Sequence, residues 1–334
     1  MSRLSFFTFL FFCSIISLHT IGQSTQIKGF VDVNGSFGKD KASFSLGEQD
    51  LFITSTINDR VSFLGETVFK YTPSTPTEFS VSVERIIINY NIKGNHNLIV
   101  GKVHTPVNYW NDTYHHGRVF FPTIDRPLLF SENIIPLHSI GAGFQGNNLG
   151  KLKFGYNAFV GNSMGGHLGM NMSNYKALTL AAYIKPTRKM KIGVSWYHDV
   201  LAKGSEIHGK TLNWKVTQNL TSLSIANFGK KFEFLAEGTA GFNKTDTTGQ
   251  KTTLASYVYA GYKIKEKIIP YVRFDNIKYQ EGEIYYHPNN MSKLVAGIRY
   301  QLNYLAVVKL EYQYQHSEMM SDANNIIAQF AIGF

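Results

Sequence analysis

The feature that most constrains this chain is a period-two alternation of apolar and polar residues along most of its length. Successive side chains of a β-strand point to opposite faces, so the pattern marks strands with one greasy and one polar side. At the end of the sequence Ile326, Ala328, Phe330, Ile332 and Phe334 share one parity, and Ile327, Gln329, Ala331 and Gly333 the other. Leu152, Phe154, Tyr156, Ala158 and Val160 oppose Lys151, Lys153, Gly155 and Asn157. Leu294, Ala296, Ile298, Tyr300 and Leu302 oppose Lys293, Gly297, Arg299 and Gln301. In a soluble sandwich the greasy side would face a core. In a membrane barrel it faces lipid, and the polar side faces water.

The alternation predicts sixteen strands, at 26–37, 48–57, 60–70, 80–92, 96–103, 139–147, 151–160, 175–186, 189–199, 217–228, 231–242, 251–264, 267–278, 291–302, 305–315 and 325–334. Their connections separate the two readings. Tight turns at Asn58-Asp59, Lys93-Gly94-Asn95, Asn148-Leu149-Gly150, Thr187-Arg188, Gly229-Lys230, Lys265-Glu266 and Asn303-Tyr304 alternate with longer loops at 38–47, 71–79, 104–138, 161–173, 200–216, 243–250, 279–290 and 316–324. Short periplasmic turns, long outer loops and an even strand number belong to outer-membrane barrels. A soluble sandwich has no reason to sort its connections by parity. The expected fold is one all-β, transmembrane antiparallel barrel of about 16 strands. One segment slips: Val81 and Val83 sit on one parity, Ile86, Ile88, Tyr90 and Ile92 on the other. Either a β-bulge near Glu84-Arg85 accounts for the slip, or the strand lies elsewhere than 80–92.

The first 22 residues read as a cleaved secretory signal peptide, leaving 23–334 as the barrel. Arg3 precedes an apolar run from Leu4 to Leu18, and Thr20-Ile21-Gly22 offers a cut after Gly22. The run is shorter than the ~20 residues that span a bilayer. Cys13 follows Leu10-Phe11-Phe12, with no small residue for a lipoprotein site. Loss of Arg3 with no acid takes the net charge from +10 to +9, and the single cysteine leaves too. The mature chain then has no disulfide, thiolate nucleophile or cysteine metal site.

Residues 104–138 form the longest connection and are rich in apolar groups, among them Tyr109, Trp110, Phe120, Phe121, Leu128, Leu129 and Phe130. Such a loop needs a surface to pack on, and the nearest is the inner wall, so it is expected to fold inward and narrow the lumen. Its polar residues His104, Asp112, His115, His116, Arg118, Asp125, Arg126, Glu132 and His138 are candidates for a charged constriction. The alternative is that neighbours such as Asp125-Arg126 simply pin the loop. His115-His116 fixes no third ligand by spacing, so no metal is assigned.

A long aromatic third outer loop in a sixteen-stranded chain ending on Phe334 resembles the general and anion-selective bacterial porins. The stretch Gly101-Lys102-Val103-His104-Thr105-Pro106-Val107-Asn108-Tyr109-Trp110-Asn111, then Tyr114-His115-His116-Gly117 and Arg126-Pro127, is similar to a pattern in barrels related to the phosphate-selective porins. The resemblance implies a passive pore for small hydrophilic solutes in the outer membrane, a homotrimer surrounded by outer-membrane lipid, and no cofactor. It also implies that Phe334 acts as a signal to the barrel assembly machinery. Residues 104–138 hold no dense Arg/Lys run of the kind phosphate-specific members use.

Strand parity points Lys153, Lys191, Arg273, Lys293, Arg299 and Lys309 inward, with Asp32, Glu66, Glu233, Glu237, Asp275 and Glu311. A basic cluster towards the last strands, with the positive net charge, suggests a weak preference for anions. The charges are spread along an exported chain, which argues against nucleic acid. A barrel hydrolase would need a Ser-His pair with an acid or amide on one wall. The nearest candidate, Ser195 with His198-Asp199, puts Ser195 and His198 on opposite faces, and no nucleophile elbow is present. No catalytic residue is assigned. A non-conducting adhesin or secretion component remains the alternative class. An N-terminal plug is not expected, because the first strand starts just after the cleavage site.

Overall fold

The computed structural model describes residues 24–38, 42–73, 76–114, 117–164, 175–207 and 209–334. The predicted signal peptide, His115 and His116 lie outside the described residues. The barrel strands are β1 (Ser24–Phe37), β2 (Ala42–Thr56), β3 (Val61–Tyr71), β4 (Phe79–Lys93), β5 (His96–His104), β6 (His138–Leu149), β7 (Phe154–Asn162), β8 (Lys176–Thr187) and β9 (Met190–Leu201). They continue as β12 (Val216–Phe228), β13 (Phe232–Thr245), β14 (Gly249–Tyr262), β15 (Ile268–Tyr279), β16 (Met291–Asn303), β17 (Ala306–Ser317) and β18 (Ala323–Gly333). A two-stranded hairpin, β10 (Glu206–Ile207) and β11 (Lys210–Thr211), decorates the connection from β9 to β12. Two short helices, α1 (Tyr109–Tyr114) and α2 (Leu128–Ser131), lie between β5 and β6.

Each barrel strand pairs antiparallel with its neighbours, and β1 closes the ring on β18. Closure leaves no row of unpaired peptide groups to face hydrocarbon, where each would cost several kcal/mol. At the seam the Gly29 N–H donates to the Phe334 carbonyl and the Phe334 N–H to that of Gly29, both at 2.9 Å. Outward positions are apolar and exposed: Ile86 and Ile88 on β4, Leu223 and Ile225 on β12, Val272 and Phe274 on β15. Among the described residues no helix is long and apolar enough to cross a membrane.

The predicted bulge is present. Glu66 faces Arg85 and Thr67 faces Val83, leaving Glu84 as the extra residue. A second bulge sits in β2, where Val31 faces Gln49 and Val33 faces Leu46. The Asp32 carboxylate accepts the Glu48 N–H there at 2.9 Å. Glu48, Gln49 and Asp50 carry no apolar parity to slip, so alternation could not report it.

Two outer connections are shorter than expected. β2 begins at Ala42, so the loop expected at 38–47 spans only 38–41. The loop expected at 243–250 contracts to 246–248. There the Thr245 hydroxyl accepts the Thr248 N–H at 3.0 Å, and Gly249 takes a positive φ of 67°. The short–long rule is therefore not strict.

The two halves of the inner face differ. Along β12 to β15 and β17 the inward residues are buried almost without exception. Along β3 and β8 many are only half-buried. Something covers one half of the wall and leaves the other open.

The lipid-facing assignment has a direct test. Leu223→Arg, near the middle of β12, should cost ~2–4 kcal/mol in unfolding titrations from lipid vesicles. Leu302→Arg, beside a turn, should cost only ~0–1 kcal/mol. Equal costs would contradict the membrane placement.

Candidate functional site

The cover is chiefly the connection from β5 to β6, joined on its outer side by Leu212, Tyr285 and Tyr286 from two other connections. The β5–β6 connection folds into the lumen and packs its apolar side chains against β9 and β12 to β16. Trp110, wholly buried, is the hub. Its ring lies 5.3 Å from Phe121, 6.2 Å from Phe130 and 6.0 Å from Tyr257 on β14. Leu128, Leu129, Ile134 and Ile135 join the same cluster.

The loop backbone is held by charges on the wall, in two sets. Carboxylates accept its N–H groups. Glu237 takes those of Tyr109 and Trp110 at the start of α1, the latter at 3.2 Å. Asp275 takes that of Leu128 at the start of α2 at 3.2 Å, and Glu311 that of Ile124 at 2.6 Å. Cations donate to its carbonyls. Arg273 reaches the Asp125 carbonyl at 2.7 Å and the Thr123 hydroxyl, and Arg299 the Pro122 carbonyl at 3.2 Å. Lys309 reaches the carbonyls of Arg118 at 2.6 Å and Thr123 at 3.2 Å. Wall groups are also paired: Arg299 grips both oxygens of Glu233 at 2.8 Å, and Arg273 lies 2.9 Å from Asp275. An irregular backbone inside a barrel must find partners, and these charge-assisted bonds supply them.

The parity-derived lumen charges are thus inward, but most do not line free water. Arg273, Arg299, Lys309, Glu233, Asp275 and Glu311 are all buried. They hold the loop or pair with one another and do not line a free passage. Lys293 lies 3.4 Å from Asp125 of the loop, and Lys191 lies 2.8 Å from Asp112. Lys153 is a correction: it sits exposed in the turn before β7, with a φ of 49°, because the strand starts at Phe154 and not at 151.

The loop also reaches across the lumen to β2. The Gly117 N–H donates to Asp50 at 3.3 Å, and Arg118 lies 3.2 Å from Glu48. Arg126 shares the electrostatic neighbourhood of Glu48, Glu84 and Asp50, but burial, then nearby Arg118, pushes its guanidinium down to about 10. Desolvation would raise Asp125, but Lys293, Gln313, Arg118 and Arg273 together hold it below the usual carboxylate range. The two ends of the loop carry His104 and His138, rings 5.4 Å apart. His104 lies 3.8 Å from Glu66, which binds Arg85, and His138 lies 2.8 Å from Glu84. Of the expected constriction residues, His104, Arg118 and Arg126 therefore meet a row of carboxylates on β2 to β4. Asp112 and Asp125 face Lys191 and Lys293, and Glu132 stands apart, half-buried beyond α2. Alternation marks Glu66 as inward, but Glu48, Asp50 and Glu84 flank the two bulges and escape it. Among the described residues no group of three or more His, Cys, Asp or Glu is placed to hold a metal ion.

On the turn side of this charged belt lies a cavity of about 580 Å³. Its wall is largely uncharged and polar, with Gln26, Ser62, Asn89, Asn97, Gln145 and Asn157. A smaller cavity of about 300 Å³ at the turn-side rim is lined by Lys185, Arg188, Lys189 and Lys191 with Tyr109 and Thr113. Ser195 is buried inside, accepting the Asn108 N–H at 3.4 Å. His198 is on the other face, stacked on Trp196 and 3.0 Å from Asn219.

No family model matches the sequence, and no curated protein matches it. Solved structures do match. The anion-selective porin from Comamonas acidovorans superposes with a TM-score of 0.67 at 9% identity, over 93% of this chain and 100% of that one. OmpT, an outer membrane protein of Vibrio cholerae, gives 0.65 at 13%, over 93% and 99%. The outer membrane channel DcaP of Acinetobacter baumannii gives 0.62 at 11%, over 94% and 98%.

The docking has a measurable consequence. Arg299→Ala removes one partner of a buried pair and should cost ~3–5 kcal/mol. In the folded barrel it should also expose the loop to trypsin at the Arg118–Val119 bond, which is buried in the wild type. Unchanged protection would show that the wall charges do not hold the loop. At identities this low the likeness is one of fold, and the chain has the closed antiparallel barrel of bacterial outer-membrane porins.

Proposed function

We propose that the protein is a passive diffusion channel for small hydrophilic solutes across the bacterial outer membrane. The observation that carries this is the lopsided lumen. The loop is fixed chiefly to β12–β17 and touches β2 through Gly117 and Arg118, while β1 to β7 keep a polar inner face on a cavity of about 580 Å³. A barrel meant only as an anchor has no need of such a face. The belt where Arg118 contacts Glu48, with Arg126 near Glu84 and Asp50, pins the loop there and so narrows the path beside it. Catalysis has no comparable support, since Ser195 and His198 point to opposite sides of the wall.

The anion preference suggested by the net charge rests on a different set of residues from the one parity selected. Arg273, Arg299 and Lys309 are spent on the loop. Lys185, Arg188 and Lys189 at the turn-side rim, with Lys191, are the charges that solutes meet. Fields from such rim charges are screened over ~10 Å at 0.1 M salt and ~3 Å at 1 M. A homotrimer is part of the proposal, in keeping with the trimer form of the Vibrio cholerae protein. So are export by a cleaved 1–22 segment and recognition of Phe334 by the barrel assembly machinery.

Planar-bilayer recording tests the channel. Folded, heat-modifiable protein should give steady ohmic steps, with a reversal potential favouring anions at ~0.1 M salt and little selectivity at ~1 M. Replacing Lys185, Arg188 and Lys189 together with glutamine should abolish the low-salt preference. Absence of any conductance would leave a filled barrel, of adhesive or assembly type, instead.

A further inference from the structure

The turn-side chamber is chemically specific in a way that diffusion alone does not require. We infer that it is a binding subsite for uncharged, polyhydroxylated solutes of mono- or disaccharide size, an inference that rests on the channel reading. Its position follows from its lining: Ser62 and Asn97 are second in β3 and β5, next to turns, and Gln26 near the start of β1 faces Thr54 at the end of β2. Asn89, Gln145 and Asn157 come from β4, β6 and β7. Six strands thus contribute an amide or a hydroxyl to one concave surface.

A primary amide carries two N–H donors and a carbonyl acceptor, and a hydroxyl is both donor and acceptor. The wall therefore offers both kinds of partner without net charge. That matches a ring of hydroxyls, each of which gives one hydrogen bond and takes others. It matches an ion poorly. The charges that reach the chamber are already paired: Arg85 and His104 turn to Glu66, and Asp112 to Lys191.

Two acceptors sharpen the assignment. The carbonyl oxygens of Asn89 and Asn157 are shielded from solvent and have no partner in the protein. The Asn89 amide nitrogen is only loosely engaged, 3.4 Å from the Ser62 hydroxyl. A shielded acceptor without a donor is unfavourable, so these are the amides whose rotation towards the chamber a solute hydroxyl would reward. Between the amides stand Leu64, Ile87 and Ile99, which offer apolar contact to the C–H faces of a sugar ring. The volume of about 580 Å³ lies within the ~300–1,000 Å³ usual for small-molecule sites.

Two readouts on the folded protein, with sucrose as the probe, test this. Titration calorimetry in detergent should show saturable binding. In planar bilayers sucrose should lower the current reversibly and with saturation, beyond its effect on solution conductivity, and succinate should not. Asn89→Ala with Asn157→Ala should weaken sucrose binding at least tenfold. If that double variant does not fold, Ser62→Ala with Gln26→Ala tests the same surface, with Phe274→Leu on the lipid face as the unchanged control. Ohmic conductance with no saturable sucrose heat or block would overturn the subsite and leave the channel intact. Saturable heat from a protein that never conducts would overturn the channel and leave the subsite.

Discussion

A peptide group in hydrocarbon must have a hydrogen-bond partner, and the rest of this structure depends on that requirement. It forbids an open sheet, so β1 must close on β18. Closure with sixteen strands makes a ring too wide for wall side chains alone to fill. The interior must then be water, or chain from elsewhere, or both. Here it is both, and the division between them gives the barrel its functional shape.

The chain that enters brings its own unsatisfied backbone. The inner faces of β13 to β17 meet it with charges of both signs: Glu237, Asp275 and Glu311 for its N–H groups, Arg273, Arg299 and Lys309 for its carbonyls. The wall charges need the loop as much as the loop needs them. A lone charge buried in that wall would be costly, whereas one with several directed partners is tolerated. Trp110 and its neighbours add apolar contact that fixes the loop on this side. The opposite side stays uncovered, and its polar lining follows from facing water.

Much of this is legible in the sequence because lipid enforces alternation. All sixteen strands lie where parity puts them, and the slip at Glu84 reads correctly as a bulge. The inward fold of 105–137 follows from its apolar content. Other features leave no periodic trace. The bulge at Gly47 and Glu48 lies in a polar stretch with no register to break. Lys153 fits the inward parity, yet the strand begins one residue later. The role of Arg273, Arg299 and Lys309 is hidden for another reason: parity tells which way a side chain points, not whether water or a loop will meet it. The balanced occurrence of Asp275 beside Arg273 on β15 and Glu311 beside Lys309 on β17, with Glu237 on β13, was the available clue, since a lining that selects one sign has no use for equal numbers of the other.

The central claim is that the loop covers β12 to β17 and leaves β3 to β7 facing the aqueous path. Single cysteines tested with a small water-soluble thiol reagent, read by loss of channel current, decide it most directly. The natural cysteine, Cys13, is first replaced by serine so that each variant carries a single thiol. Cysteine at Ser62, Asn97 or Gln145 should react quickly and reduce the current, while cysteine at Thr239 or Ser222 should stay unreactive beneath the loop. Equal reactivity on the two walls, or reactivity confined to the second set, would contradict the account.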